Sequence, residues 1–290
     1  MTEPRREFIT VDDGVVLHAV IGGDGPPLVL LHGFPQTHLI WRDVAPALAE
    51  RFTVICPDLR GYGDSSKPPG GPDHAAYSKR SMAADIVAMM DALEIDQALV
   101  AGHDRGGRVA HRLALDAPER VAKLAVLDIV PTLTVFEQMT SKLATAYYHW
   151  FFLIQPNGLP ETLIGHAPEV YLRSLLGRWG SKPDVFPDDI VAEYLRCFSE
   201  PEAIHAKCED YRAAATIDLV HDREDLDQPV TCPLLVLWGA QAAVANNHDV
   251  LACWRARASD VRGHAMDCGH FLPEEAPDQV AADLLAFFTD

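Results

Sequence analysis

The stretch Val100-Ala101-Gly102-His103-Asp104-Arg105-Gly106-Gly107-Arg108-Val109 decides how the rest of the chain is read. Leu99, Val100 and Ala101 make the apolar end of a strand, and helical spacing begins at Gly107, so a sharp turn must lie between them. Gly102 and Gly106 stand two residues to either side of Asp104. Such a turn strains the backbone of its central residue and brings strand and helix so close that side chains at the flanking positions would clash. The pattern is that of a G-x-nucleophile-x-G elbow, with aspartate in place of serine. An aspartate capping a helix in a Gly-rich turn is an equally good reading of this stretch taken alone.

Outward from the elbow, residues 28–31, 52–56, 121–127 and 233–238 are short apolar runs, as strands buried on both faces must be. Residues 8–11 and 15–21 read as two strands around a turn at Asp12-Asp13-Gly14, and 260–266 as the last strand. Helical spacing appears at 41–49, 78–93, 107–114, 247–257 and 273–288. This alternation predicts an α/β fold with a mostly parallel sheet and flanking helices. In such sheets ligands bind beyond the carboxyl ends of the strands, where His32-Gly33, Asp58, Asp104 and Asp128 stand. From about Pro131 to Gln228 the pattern turns helical and aromatic, at 147–153, 170–176, 190–198 and 201–215. The expected organisation is a core of residues 1–130 and 229–290 interrupted by a helical cap at 131–228.

The bulk properties narrow the function. A 290-residue chain with 48% hydrophobic and 23% charged residues can bury a sizeable core. A net charge of −18 argues against nucleic acid and anionic membranes as partners, and any site for an anionic small molecule needs its own arginines. Six scattered cysteines without a C-x-x-C read as reduced thiols. No apolar stretch follows Arg5 and Arg6, and none is long enough to cross a bilayer, so a soluble cytoplasmic protein is expected. His32, His103 and His270 have no ligand-like spacing with carboxylates or cysteines, and neither a metal nor another cofactor is expected.

Four landmarks stand in order: His32-Gly33-Phe34-Pro35, the elbow at Asp104, the insertion, and Gly269-His270. Together they resemble the α/β-hydrolase fold over nearly the whole chain. Asp104-Arg105-x-x-Arg108, Asp128 and His149-Trp150 most resemble the haloacetate (fluoroacetate) dehalogenases. The chemistry of the residues agrees. Serine attacking an alkyl halide would leave an inert ether, whereas aspartate leaves an ester that water can cleave. Asp104 is ionised at neutral pH, so His270, between the last strand and last helix, is expected to activate that water rather than the nucleophile. Asp128 matches the dehalogenase arrangement as the carboxylate that orients His270. Asp249 is the alternative, because residues 240–243 after Trp238-Gly239 carry no acid.

The fold's pattern implies backbone N–H donors for the oxyanion from Phe34 and Arg105. Arg105 and Arg108, three apart at a helix start, share a face and can clamp a substrate carboxylate. His149 and Trp150 are expected as halide donors, with Tyr211 added by the resemblance and Trp179 as further pocket lining. The expected reaction converts haloacetate or related 2-haloacids to 2-hydroxy acids through an aspartyl ester. A homodimer is implied only by the resemblance. An epoxide hydrolase would share Asp104 and His270 and could draw on Tyr147, Tyr148, Tyr171, Tyr194 and Tyr211 as acids, but would leave the arginines without a purpose. A non-catalytic binding protein on the same fold is the remaining alternative.

Overall fold

A computed structural model describes residues 4–11, 14–71, 73–182 and 185–290. Asp12 and Asp13, on which the first expected turn rests, lie outside the described residues. Eight strands form one sheet in the order β1-β2-β4-β3-β5-β6-β7-β8. They are β1 (Arg5–Thr10), β2 (Val16–Gly22), β3 (Pro27–Leu31), β4 (Thr53–Pro57), β5 (Ala98–His103), β6 (Val121–Leu127), β7 (Leu234–Gly239) and β8 (Val261–Met266). The pairs β1/β2 and β2/β4 are antiparallel, and all others are parallel.

Alternate residues of the central strands feed two cores, one on each face of the sheet. Val29, Leu31, Val100, Leu124, Val126 and Val236 pack on one face. Leu28, Leu30, Ala101, Ala125, Leu127, Leu235 and Leu237 pack on the other. This double burial is why the strands read as unbroken apolar runs.

The core helices in the first half are α1 (Ala45–Leu48), α2 (Lys79–Ala92) and α3 (Arg105–Asp116). Between β6 and β7 the chain is helical: α4 (Thr132–Glu137), α5 (Ser141–Ala146), α6 (Tyr148–Leu153), α7 (Leu159–His166), α8 (Pro168–Trp179), α9 (Asp188–Ser199), α10 (Pro201–Ala215) and α11 (Ile217–Glu224). Four of these, α4, α5, α7 and α11, are absent from the sequence reading. They run six to eight residues, too short for a helical period to stand out. After β7 come α12 (Val250–Arg255), α13 (Leu272–Glu275) and α14 (Pro277–Thr289). The single closing helix expected at 273–288 is therefore two. Pro277 disfavours helical geometry at the residue before it, and Ala276 sits at φ −143°, ψ 52°.

Strand order places the site. β3 pairs with β5, with Leu31 opposite Gly102, although β4 separates them in sequence. The loop after β3 and the elbow after β5 therefore emerge side by side at the carboxyl edge. Asp104 takes φ 48°, ψ −117°, the strained conformation expected of the elbow. A Cβ on Gly106 would lie 2.2 Å from the His32 carbonyl oxygen and 2.5 Å from that of Leu31, and one on Gly102 would lie 2.4 Å from the Gly106 oxygen. Neither neighbour can move without breaking the β3–β5 register. Gly106→Ala is expected to lower unfolding free energy by about 1–3 kcal/mol, as overpacked sites do. Urea melts check this; an unchanged midpoint would show that the elbow yields.

Candidate active site

Asp104 stands at the N-cap position of α3, yet its side chain caps nothing. Its Oδ1 instead accepts the Phe34 N–H at 3.0 Å, across from the loop after β3. The helix-cap reading is thereby excluded. Burial works against the charge on this carboxylate, but His270, Arg105 and Arg108 outweigh it and hold its pKa below the ordinary value. Asp104 thus carries its charge while Oδ2 is left without a hydrogen bond among the described residues.

His270 follows β8 and reaches the carboxyl end of β6. Its Nδ1 lies 2.6 Å from Asp128 Oδ2, while Asp128 Oδ1 accepts the Gly239 N–H at 2.9 Å. Asp249, the alternative partner, is exposed and spends its carboxylate on the Ala252 N–H at the start of α12. The bond to Asp128 fixes the imidazole with Nε2 facing away from that carboxylate. Burial pushes the His270 pKa down, but the bond to Asp128 and the charges of Asp128, Asp104 and Glu275 raise it above its ordinary 6.5.

Asp104, Asp128 and His270 open onto one cavity of about 320 Å³. Arg108, His149, Trp150 and Trp179 form another part of its wall. Aromatic rings pack closely there: His149 lies parallel to Phe34 at 6.1 Å, and Trp179 approaches His149 to 4.4 Å and His270 to 5.6 Å. Tyr211 is packed behind this wall, 5.2 Å from Phe34 and 5.5 Å from His149. Tyr147 also borders the cavity.

The two arginines do not form the open pair that their spacing suggests. Arg105 is fully buried, and its Nε and Nη2 donate to the Asp210 carboxylate at 3.0 and 2.5 Å, with Nη2 also donating to the Asp210 carbonyl at 2.8 Å. Lys79 forms a second ion pair with Asp210, and the Tyr62 hydroxyl donates to it at 2.6 Å. Arg108 donates through Nη1 to the Val130 carbonyl at 3.0 Å and the Thr132 hydroxyl at 2.9 Å, and lies 4.8 Å from the Trp150 ring centre.

Five buried nitrogens in this region have no hydrogen-bond partner among the described residues: Arg105 Nη1, Arg108 Nε, His149 Nδ1 and Trp179 Nε1, together with His103 Nδ1, an acceptor because that ring donates through Nε2. Buried polar atoms are normally satisfied, so a cluster of orphaned donors marks where a ligand supplies the missing acceptors. Trp179, expected only as lining, contributes one of them.

The role of Asp210, and what Asp58 does at its strand end, were not read from the sequence. Asp210, in the middle of α10, fixes Arg105 from 105 positions away. Asp58, after β4, accepts the Nδ1–H groups of His18 and His38, both at 2.9 Å, and the backbone N–H of His38 at 2.8 Å. It thereby pins the base of the loop that carries Phe34. Nothing in the sequence sets Asp210 apart from other helical acids; its complete burial is what marks it, and only the fold shows that.

The sheet order, elbow and intervening helices agree with a family model described as alpha/beta hydrolase fold, which matches residues 26–277. The chain belongs to that family. It is similar to a fluoroacetate dehalogenase of Burkholderia sp, with 44% identity over 99% of this chain and 94% of that one. It is also similar to a soluble epoxide hydrolase of Corynebacterium sp. (strain C12), with 38% identity over 95% of this chain and 94% of that one. Among solved structures, one of an alpha/beta hydrolase-class protein from Nostoc sp PCC 7120 superposes with a TM-score of 0.98 and 54% identity, covering 99% of this chain and 98% of that one. Among the described residues no helix is long and apolar enough to cross a membrane.

The raised pKa of His270 sets the sign of a pH dependence. A base must be neutral to take a proton, so any step that uses His270 gains rate as pH rises through a value above 6.5. Asp128→Asn removes the main raising influence and leaves burial, so this limb should move to lower pH while the maximal rate falls. A pH–rate profile of both proteins checks the direction; an unmoved limb would assign the titration to another group.

Proposed function

We propose that this protein is a cofactor-independent hydrolase that removes halide from haloacetate and related 2-haloacids. The orphaned nitrogens of Arg105, Arg108, His149 and Trp179 around a buried carboxylate are the observation that carries this reading. They suit a small substrate with an anionic end and an anionic leaving group. The relative named for fluoroacetate dehalogenation supports the same conclusion.

In the proposed reaction Asp104 Oδ2 attacks the α-carbon in line with the carbon–halogen bond. The C–O bond forms as the halide leaves with the bonding pair, giving an ester on Asp104. The substrate carboxylate sits against Arg108 and the free edge of Arg105, which offset its repulsion by Asp104. His149, Trp150 and Tyr211, with Trp179, receive the halide; such donors accelerate the step where their bonds strengthen as charge develops on the leaving atom. His270 Nε2 then takes a proton from water, and the hydroxide adds to the ester carbonyl. The oxygen charge falls on Oδ1, already in contact with the Phe34 N–H, with the Arg105 N–H as the expected second donor. Collapse releases the 2-hydroxy acid, which takes the proton from His270. Asp128 orients the imidazole and stabilises its charged form. The balance is haloacid plus water giving hydroxy acid, halide and a proton. Within this reading residues 131–228 act as a cap over the core formed by 1–130 and 229–290. We further propose a cytoplasmic location, supported by the scattered cysteines of the sequence, and a homodimer, supported by the family resemblance.

An epoxide hydrolase is the competing reading, favoured by the Corynebacterium relative and by Tyr147 at the cavity. Incubation with fluoroacetate, chloroacetate and styrene oxide separates the two. Halide release with little diol is expected; diol without halide would overturn the proposal. His270→Asn should slow turnover by about 10²–10⁴-fold and leave a carboxymethyl ester on the Asp104 peptide, visible by mass spectrometry. Arg108→Ala should raise KM for chloroacetate by roughly tenfold or more. Unchanged KM would remove Arg108 from carboxylate binding.

A further inference from the structure

The cavity needs its base held still, and the base sits on a loop with no regular structure of its own. The backbone N–H groups of residues 269–271 and the His270 carbonyl are nevertheless all tied down. The His270 N–H donates to the Trp179 carbonyl at 3.0 Å, and the His270 carbonyl accepts from His103 Nε2 at 2.7 Å. The N–H groups on either side, of Gly269 and Phe271, both end on the Glu275 carboxylate, at 2.9 Å on Oε2 and 3.0 Å on Oε1. Oε2 also accepts the Ser181 N–H at 2.9 Å and the Ser181 hydroxyl. Glu275 is 5% exposed, and among the described residues no cationic side chain pairs with its carboxylate. Lys182 donates only to the Glu275 backbone carbonyl, at 2.6 Å.

One buried carboxylate therefore joins three things. It brackets the base on both sides, and it fastens that loop to the segment following α8, whose Trp179 forms part of the cavity wall. A buried charge is costly, and a carboxylate met by several N–H and O–H donors recovers that cost through charge-assisted bonds. A helix cap would need a single acceptor for one N–H; Glu275 serves donors on both sides of His270 and on the facing segment. The adjacent Glu274 makes a parallel connection to the other half of the site. It accepts from the Tyr194 hydroxyl at 2.9 Å and from Gln36, two residues beyond Phe34.

We infer that Glu275 is a positioning residue for the water step, holding His270 in register with the ester by locking its loop to Ser181, two residues beyond Trp179. Displacing the base by a fraction of an ångström slows proton transfer to that step alone. Attack by Asp104 does not use His270 and proceeds at its normal rate. This inference rests on the two-step reaction proposed above.

The test follows both steps with chloroacetate. Rapid-quench measurement of the first chloride gives the alkylation rate, and steady-state turnover with mass spectrometry of the Asp104 peptide gives the fate of the ester. Glu275→Gln keeps the shape of the side chain but has one acceptor oxygen for two sets of donors. Ser181→Ala removes one donor from the facing segment and leaves Glu275 intact, and it decides the matter if Glu275→Gln fails to fold. Turnover should fall by about tenfold in Glu275→Gln and severalfold in Ser181→Ala, with the ester accumulating and the first-chloride rate unchanged, in keeping with the cost of small misplacements of a catalytic group. Equal loss of both rates, or unchanged turnover in Ser181→Ala with a folded Glu275→Gln of normal activity, would overturn the inference. His270→Asn serves as the control. If it accumulates no ester, the two-step reading itself has failed; if it does and the Glu275 and Ser181 variants do not, only the role of Glu275 has failed.

Discussion

The site depends on keeping one buried carboxylate charged without tying it up. Removing an ion from water costs several kcal/mol unless the protein repays it. For Asp104 the repayment is spread out: one direct hydrogen bond from Phe34, and the fields of His270, Arg105 and Arg108. Neither arginine bonds to the Asp104 carboxylate. A bidentate arginine there would stabilise the anion more strongly and leave its lone pairs engaged. The fold avoids this by giving each guanidinium other acceptors, Asp210 for Arg105 and the Val130 carbonyl and Thr132 hydroxyl for Arg108. The charge remains, but Oδ2 stays open.

Asp210 explains how two arginines can be buried side by side in the first turn of α3. Burial and the charge of Arg105 lower the pKa of Arg108, while Asp210 raises that of Arg105. Asp210 takes up part of the repulsion, and Lys79 on α2 adds a second cation against the same carboxylate. The cluster also welds α10 to α2 and α3. Removing one partner of so buried a group leaves an uncompensated charge, so the anion-binding field and the docking of α10 are one construction. A protein carrying a net charge of −18 needs such a local source of positive potential if it is to admit an anion.

How much of this was legible depended on whether the signal was local. The elbow was readable because Gly102, Asp104 and Gly106 satisfy one close approach within five residues. The central strands were readable because burial on both faces leaves no polar position. The absence of an acid at 240–243 and the likeness to the dehalogenase arrangement pointed to Asp128, whose Oδ2 lies 2.6 Å from His270 Nδ1. Short helices between β6 and β7, and the break at Ala276, fell below the length at which periodicity speaks. Least legible were Asp210 and Glu275. In sequence each is an ordinary acid on a helix; its significance lies in donors contributed by segments far away in the chain.

Relatives named for dehalogenation and for epoxide hydrolysis both align over nearly the full chain. The difference between the reactions lies in the proton. An epoxide oxygen leaves as an alkoxide and wants an acid; a halide leaves as a stable anion and wants donors that keep their hydrogens. Burial pushes the pKa of Tyr147 and Tyr211 above the ordinary tyrosine value, so both keep their hydroxyl hydrogens as donors at neutral pH. Burial likewise pushes the pKa of His149 well down, so it faces the cavity as a neutral imidazole, a donor through one nitrogen rather than an acid. Arginine and tryptophan N–H groups do not ionise in this range at all. The wall around Asp104 is thus rich in N–H donors without a partner among the described residues, which suits an anionic substrate end and an anionic leaving group.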